Sequence, residues 1–93
     1  MIRFEWDPQK DAANQRKHGI AFNEAATVFF DPLTITIDDP RHSSSMEERL
    51  VTTGESARRR LVVVVHADRG DIIRIISARR ATRREKRDYE EGQ

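Results

Sequence analysis

The sequence predicts an α+β domain: a single antiparallel β-sheet with two N-terminal helices and one C-terminal helix. Three observations predict this class. Capping signals bound a helix close to the N-terminus, apolar side chains alternate with a period of two after Pro32, and a capping box precedes the C-terminus. The 93 residues fit one domain spanning residues 1–93, whose modest core would benefit from a stabilising partner.

The N-terminal third predicts one strand and two helices. Residues 2–6 alternate apolar and polar side chains, as a half-buried strand does. An N-cap aspartate and a first-turn proline at residues 7–8 begin the first helix, and Gly19 ends it after a basic last turn. Apolar side chains at helical spacing predict a shorter second helix from about residue 22 to 29, which Asp31-Pro32 ends.

The rest of the chain predicts a sheet and a final helix. Strands are predicted at residues 33–38, 49–54, 61–66 and 72–78. The run at 61–66 is continuously apolar up to His66, which is typical of a central strand covered on both faces. Gly70 is placed for a hairpin turn, and Thr82 and Glu85 fit a capping box that opens a helix closed by Gly92. Successive strands of this kind most simply pair antiparallel.

The charge of the chain is unevenly distributed. Residues 1–56 hold 6 Lys and Arg against 10 Asp and Glu, whereas residues 57–93 hold 11 against 6. A basic C-terminal half suits a polyanionic partner, although charge runs are also common on solvated faces. Charge alone leaves both interpretations open.

Several classes of function are excluded by residues that the sequence lacks. It has no cysteine, which removes disulfides, thiolate catalysis and cysteine-ligated zinc. No metal or nucleotide motif is present, so we expect neither a metal nor a cofactor. The longest apolar run, residues 61–65, is too short to cross a bilayer, and the N-terminus does not read as a signal peptide. We therefore expect a cytoplasmic protein without membrane contact.

The remaining functional groups suit the cleavage of RNA. The 2′-hydroxyl of RNA can be the nucleophile, so the protein needs a base, an acid and cations for the phosphorane charge. Antiparallel pairing would place His66 at the same sheet edge as Glu48 and Arg49, with the loop of His42 nearby. This edge could supply the base and the acid, although a histidine that ends an apolar strand is more often structural.

The opposite sheet edge should be strongly basic. Arg79 and Arg80 follow a buried strand and precede a helix, where nothing structural obviously requires two cations, so we expect them to contact phosphate. The remaining RNA-binding candidates are Arg58, Arg59 and Arg60 in the adjacent turn, Arg84 and Arg87 in line with Arg80 at helical spacing, and Lys17 and His18 at the end of the first helix. Tyr89 could pack on the sheet, donate a proton or stack on a base.

These motifs together resemble the BrnT family of toxins from residue 4 to about residue 91. In chain order, the matching segments are Phe4-Glu5-Trp6-Asp7, Lys10, Asn14, Lys17-His18-Gly19, Phe22, Glu24-Ala25-Ala26, Val28-Phe29, Asp31-Pro32, Asp39-Pro40-Arg41-His42, Glu47-Glu48-Arg49, Gly54, Val63-Val64-Val65-His66, Ile73-Arg74-Ile75-Ile76-Ser77-Ala78-Arg79-Arg80-Ala81-Thr82, Glu85 and Tyr89. The segment from Ile76 to Ala81 is the most specific. One departure is Ala21, where a serine would cap the second helix.

The resemblance implies a RelE-like fold and a metal-independent endoribonuclease that inhibits translation and growth. It also implies a BrnA-type antitoxin that binds the toxin, dimerises to give a heterotetramer, and represses the shared operon, so that DNA is contacted only through the antitoxin. The basic C-terminal half leads us to expect that the antitoxin covers part of the surface formed by residues 79–89 and the 58–60 turn, and that it blocks RNA there. The alternative is a catalytically inactive binding module that acts only as antitoxin partner and co-repressor.

Overall fold

A computed structural model describes residues 1–39 and 48–92 of the chain. The elements, in chain order, are β1 (Arg3–Glu5), α1 (Pro8–His18), α2 (Phe22–Thr27), a 3₁₀ turn (Val28–Phe30), β2 (Ile35–Asp38), β3 (Arg49–Glu55), β4 (Leu61–Arg69), β5 (Ile72–Arg80) and α3 (Arg83–Glu91). This order confirms the predicted succession of helices and strands. Within the described part of the chain, no helix has both the length and the apolar character needed to cross a bilayer.

The five strands form one mixed sheet in the order β1-β5-β4-β3-β2. Strands β2 to β5 are antiparallel neighbours, as predicted. The prediction of a purely antiparallel sheet is wrong, because β1 pairs in parallel with β5, with Phe4 opposite Ile73. Parallel neighbours need a long connection, and the helices and strands between β1 and β5 provide it. Alternation in the sequence predicts a strand but not its direction.

The β4–β5 hairpin is longer than the sequence predicts. Its strands continue to Arg69 and begin again at Ile72, so the turn contracts to two residues. Gly70 has a φ of +58°, which confirms the need for a glycine at this position. A β-bulge interrupts the register between Val65 and His66.

Helices cover both faces of the sheet. On the first face, α1, α2 and the 3₁₀ turn enclose the main core, which contains Ile20, Phe22, Val28, Val62, Val64, Ile75 and Ala78. Side chains alternate between the two faces along each strand, so Val51 and Thr53 lie on the face opposite Thr52 and Val64. Helix α3 lies over Val51 and Thr53, and it therefore belongs to the second face.

The helix ends follow the predicted signals, and at α2 a residue of another helix supplies the missing cap. Asp7 accepts a 2.8 Å hydrogen bond from the backbone N–H of Gln9, and Gly19 ends α1 with a φ of +70°. The capping box of α3 forms as predicted. Ala21 makes no side-chain cap at α2, and Asp11 of α1 replaces it by accepting the Phe22 N–H at 2.8 Å. The end of one helix is therefore capped by its neighbour.

Asn14 connects the first helix to both neighbouring elements. Its buried amide donates to the carbonyls of Ile20 and Ala78, at 2.8 Å each. Its carbonyl oxygen accepts from the Ala78 N–H at 3.1 Å. The side chain thus satisfies three backbone groups, one in the loop after α1 and two in β5, that would otherwise lack these partners.

Replacing Asn14 should therefore strongly destabilise the fold. We expect Asn14→Ala to lower the free energy of unfolding by about 2–4 kcal/mol, because buried backbone groups lose their partners. Asn23→Ala, at an exposed position of α2, is the matched control and should change it by less than about 1 kcal/mol. Urea unfolding of the three proteins measures the difference, and similar values for the two variants would contradict this role.

Candidate functional site

An open groove lies between α3 and the β3–β4 turn, and we call it the basic groove. It encloses about 370 Å³ and is lined by Glu55, Arg59, Arg60, Leu61, Arg80, Ala81, Lys86, Tyr89 and Glu90. Cations outnumber carboxylates in this lining. The groove therefore combines positive charge with carboxylates able to accept a proton.

Strand pairing brings the two basic segments of the groove together. Arg80 pairs with Val62 at the end of β5, and the Ala81 N–H donates to the Leu61 carbonyl at 3.0 Å. The turn before β4 is closed by a 2.8 Å hydrogen bond from the Ser56 N–H to the Arg60 carbonyl. This arrangement confirms that the end of β5 lies beside the 58–60 turn.

Arg60 is fixed by a buried carboxylate that sequence analysis did not identify. Its Nε donates to Glu24 Oε2 at 3.0 Å, and its second nitrogen contacts Glu24 Oε1. The Ser56 hydroxyl also donates to Glu24 Oε2, at 2.7 Å. Hydrogen bonds from Arg60 hold the pKa of Glu24 below its usual value, despite burial. Arg60 therefore anchors the turn to α2, and within the groove it is partly neutralised.

Arg79 and Arg80 have different environments although they are adjacent. The Arg79 guanidinium makes two hydrogen bonds to Glu85, at 2.7 and 2.8 Å. These bonds are the main cause that lowers the pKa of Glu85 to about 2. Arg80 points to the other face of the sheet and is exposed in the basic groove. The structure thus places Arg80 in the basic groove, whereas Arg79 binds a side chain of α3.

Tyr89 joins α3 to the loop after the 3₁₀ turn. Its hydroxyl donates to Asp31 Oδ2 at 2.6 Å, and the same oxygen accepts from the Glu55 N–H at 2.8 Å. Burial, followed by the hydrogen bond to Asp31, raises the pKa of Tyr89 to about 12. A phenol with this pKa is a weak proton donor at neutral pH. In this position the ring lines the groove while the hydroxyl holds the helix.

His66 lies in a buried polar chain at the other end of the sheet. Its Nε2 is 2.7 Å from the Thr52 hydroxyl, and its Nδ1 is 2.7 Å from Asp68 Oδ1. The Thr52 hydroxyl in turn contacts that of Thr36 at 2.8 Å. The Phe29 ring packs against the imidazole with 4.8 Å between centroids. Both nitrogens of His66 are therefore engaged inside the protein.

The candidates at the His66 edge do not converge on one point. Leu50 pairs with His66 and Arg49 with Ala67, which confirms that the start of β3 lies at this edge. Arg49 consequently points to the face opposite His66, and Glu48 is exposed just before β3. His42 lies outside the described residues. Arg80 pairs with Val62, so about 13 Å of strand separates it from His66, and the buried imidazole cannot contact the same phosphate.

The other cationic candidates lie outside the basic groove. Lys17 and His18 occupy the last turn of α1, and Arg58 is exposed in the turn. Arg84 and Arg87 are exposed on α3, but their predicted helical alignment with Arg80 is wrong, because Arg80 belongs to β5 and α3 begins at Arg83.

Sequence analysis did not select three charged residues of the basic groove. They are Lys86, Glu55 and Glu90. The signal that could have found Lys86 and Glu90 is their spacing of four residues on the final helix, which places them on one face. No group of three or more His, Asp and Glu side chains in residues 1–39 and 48–92 is arranged to hold a metal ion.

Comparisons with known proteins give a family match and a similarity of fold. Residues 6–85 match the family model described as the ribonuclease toxin BrnT of type II toxin–antitoxin systems. The fold is similar to the crystal structure of the Brucella abortus ribonuclease toxin BrnT, with a TM-score of 0.63 and 22% sequence identity. That match covers 89% of this chain and 100% of the Brucella chain. No individually curated protein matched the sequence.

The ion pair between Arg79 and Glu85 predicts a specific dependence of stability on pH. Since folding lowers the pKa of Glu85 from 4.5 to about 2, its contribution is fully present above pH 4.5 and is lost as the pH falls toward 2. Partial exposure limits this contribution to about 1–2 kcal/mol. We expect Glu85→Gln to be less stable than wild type by this amount at pH 7.

Urea unfolding between pH 7 and pH 3 measures the effect. The difference between wild type and Glu85→Gln should shrink below pH 4.5, whereas the exposed Glu91→Gln should follow wild type throughout. A difference that stays constant down to pH 3 would show that Glu85 acts through packing or capping rather than through its charge.

Proposed function

The chain belongs to the BrnT family of ribonuclease toxins of type II toxin–antitoxin systems, and from this premise we propose that it is a metal-independent endoribonuclease that inhibits translation and growth. The observation that carries the proposal is the basic groove, in which Arg59, Arg80 and Lys86 converge on an open surface. We further propose a RelE-like helix arrangement, a cytoplasmic location and a BrnA-type antitoxin. The antitoxin would dimerise into a heterotetramer and carry the toxin to operator DNA.

The cations of the groove are suited to the RNA backbone. Neither Arg80 nor Lys86 forms an ion pair within the described part of the chain, so both can meet phosphate without breaking an internal contact. Arg59 is exposed and lies 3.4 Å from Glu55, a weak surface pair that a phosphate could displace. RNA bound here should dissociate as the salt concentration rises, because its binding releases counterions.

The chemistry available in the groove is transesterification within RNA. The 2′-hydroxyl attacks the adjacent phosphorus and loses its proton to a base, while the bond to the 5′-oxygen of the next nucleotide breaks and that oxygen takes a proton from water. The carboxylates of Glu55 and Glu90 line the same groove as the cations, and either would serve as the base. Arg80 and Lys86 would stabilise the negative charge of the phosphorane. In this proposal Glu48 and Arg49 lie too far from the groove to take part in cleavage, and the buried His66 has a structural role.

A binding module remains the second candidate function, and the groove itself favours it in one respect. Among the described lining residues there is no histidine, and Tyr89 is a weak proton donor with its hydroxyl committed to Asp31. A protein that only binds RNA or an antitoxin needs no such donor. Expression without the antitoxin should arrest growth if the protein is an enzyme and should be harmless if it only binds.

Metal independence and cleavage chemistry can be tested with a defined RNA and the purified protein. We expect cleavage at an unchanged rate in excess EDTA, with products that end in 2′,3′-cyclic phosphate or 3′-phosphate, because the 2′-hydroxyl is the nucleophile. Mass spectrometry of the fragments identifies these termini. Products with 3′-hydroxyl ends, or activity lost in EDTA and restored by Mg²⁺, would contradict the mechanism.

A further inference from the structure

A second groove lies on the other side of α3, and we call it the apolar groove. It is formed between the helix and the second face of the sheet, encloses about 200 Å³, and has Ile35, Ile37 and Val51 along its floor. Ile37 is 61% exposed and lies beside Ile35 and Val51, so the floor is an apolar patch open to solvent. Tyr89 lines both grooves, so the two are neighbours along α3.

The chemistry of the apolar groove does not suit RNA. Its floor is aliphatic, and its helical wall carries the exposed carboxylate of Asp88, which repels phosphate. Its volume is also below the range of about 300–1,000 Å³ that is usual for small-molecule sites. A groove of this size and lining fits one large apolar side chain of another protein.

The charge on the helical wall of the apolar groove indicates which residue of the partner should lie next to its apolar side chain. Arg79 neutralises Glu85 through the two-point ion pair. Asp88 forms no ion pair within residues 1–39 and 48–92, and it is exposed. The groove is therefore complementary to a segment in which a lysine or arginine lies next to an apolar anchor.

We propose that the antitoxin docks in the apolar groove, with an apolar side chain over Ile37 and Val51 and a basic residue beside Asp88. The proposal rests on the toxin–antitoxin role for the identity of the partner, and on the groove for the chemistry of its docking segment. It places the antitoxin on the opposite side of α3 from the cations that the sequence suggested as its contact. A docked segment then lies beside the basic groove without pairing with Arg80 or Lys86.

The test measures the affinity of the full-length toxin for the antitoxin encoded beside it. Ile37→Thr keeps a β-branched residue in β2 but removes apolar contact, and it should weaken binding about ten-fold. Asp88→Lys reverses the charge of the wall and should also weaken binding, most strongly at low salt. Ile2→Thr is the matched control, because Ile2 is 58% exposed and adjoins β1 at the far edge of the sheet. The affinity of this variant for the antitoxin should equal that of the wild-type protein.

Three outcomes of these measurements would contradict the proposal. Unchanged affinity of Ile37→Thr, at the same melting temperature as Ile2→Thr, places the antitoxin elsewhere. Tighter binding by Asp88→Lys indicates an acidic partner segment. If sedimentation shows that the toxin alone is a dimer which Ile37→Thr dissociates, the groove belongs to a second copy of this chain. Failure of the wild-type protein to cleave RNA would overturn the proposed activity but would leave these affinity comparisons valid.

Discussion

Arg79 and Glu85 form a two-point ion pair that fixes the position of α3, and both surfaces of interest depend on it. No residue of α3 is buried, so the helix does not contribute to the apolar core as α2 does. Besides this pair, the helix is attached through the hydrogen bond from Tyr89 to Asp31. Because Glu85 also completes the capping box, the same carboxylate begins the helix and binds it to β5.

The position of α3 separates two chemically opposite grooves. On one side Arg80 and Lys86 face an open basic surface, and on the other Ile37 and Asp88 border an aliphatic floor. In our proposal RNA and a protein partner therefore meet different charged side chains at adjacent places, and Tyr89 lines both grooves. The sequence predicts that Arg79 belongs to the basic surface. In the structure Arg79 instead holds α3, the helix that separates the two grooves.

Much of the fold could be predicted because its signals are local. The caps at Asp7 and Thr82 each depend on residues within one helical turn. The direction of β1 could not be predicted, since its partner lies almost at the other end of the chain. The separation of the basic edge from the His66 edge followed from strand order. The ion pair between Arg60 and Glu24 could not be predicted, because it depends on how α2 packs against a turn far along the sequence.

The most direct test of this account is the rate of RNA cleavage by purified Arg80→Ala, compared with Arg69→Ala as the matched control. Arg69 is an exposed arginine at the opposite end of the β4–β5 pair, outside the basic groove. We expect Arg80→Ala to lose about 10²-fold in rate, with Arg80→Lys recovering part of it, and Arg69→Ala to match wild type. Full activity of Arg80→Ala at equal folded concentration would contradict the assignment of RNA cleavage to the basic groove.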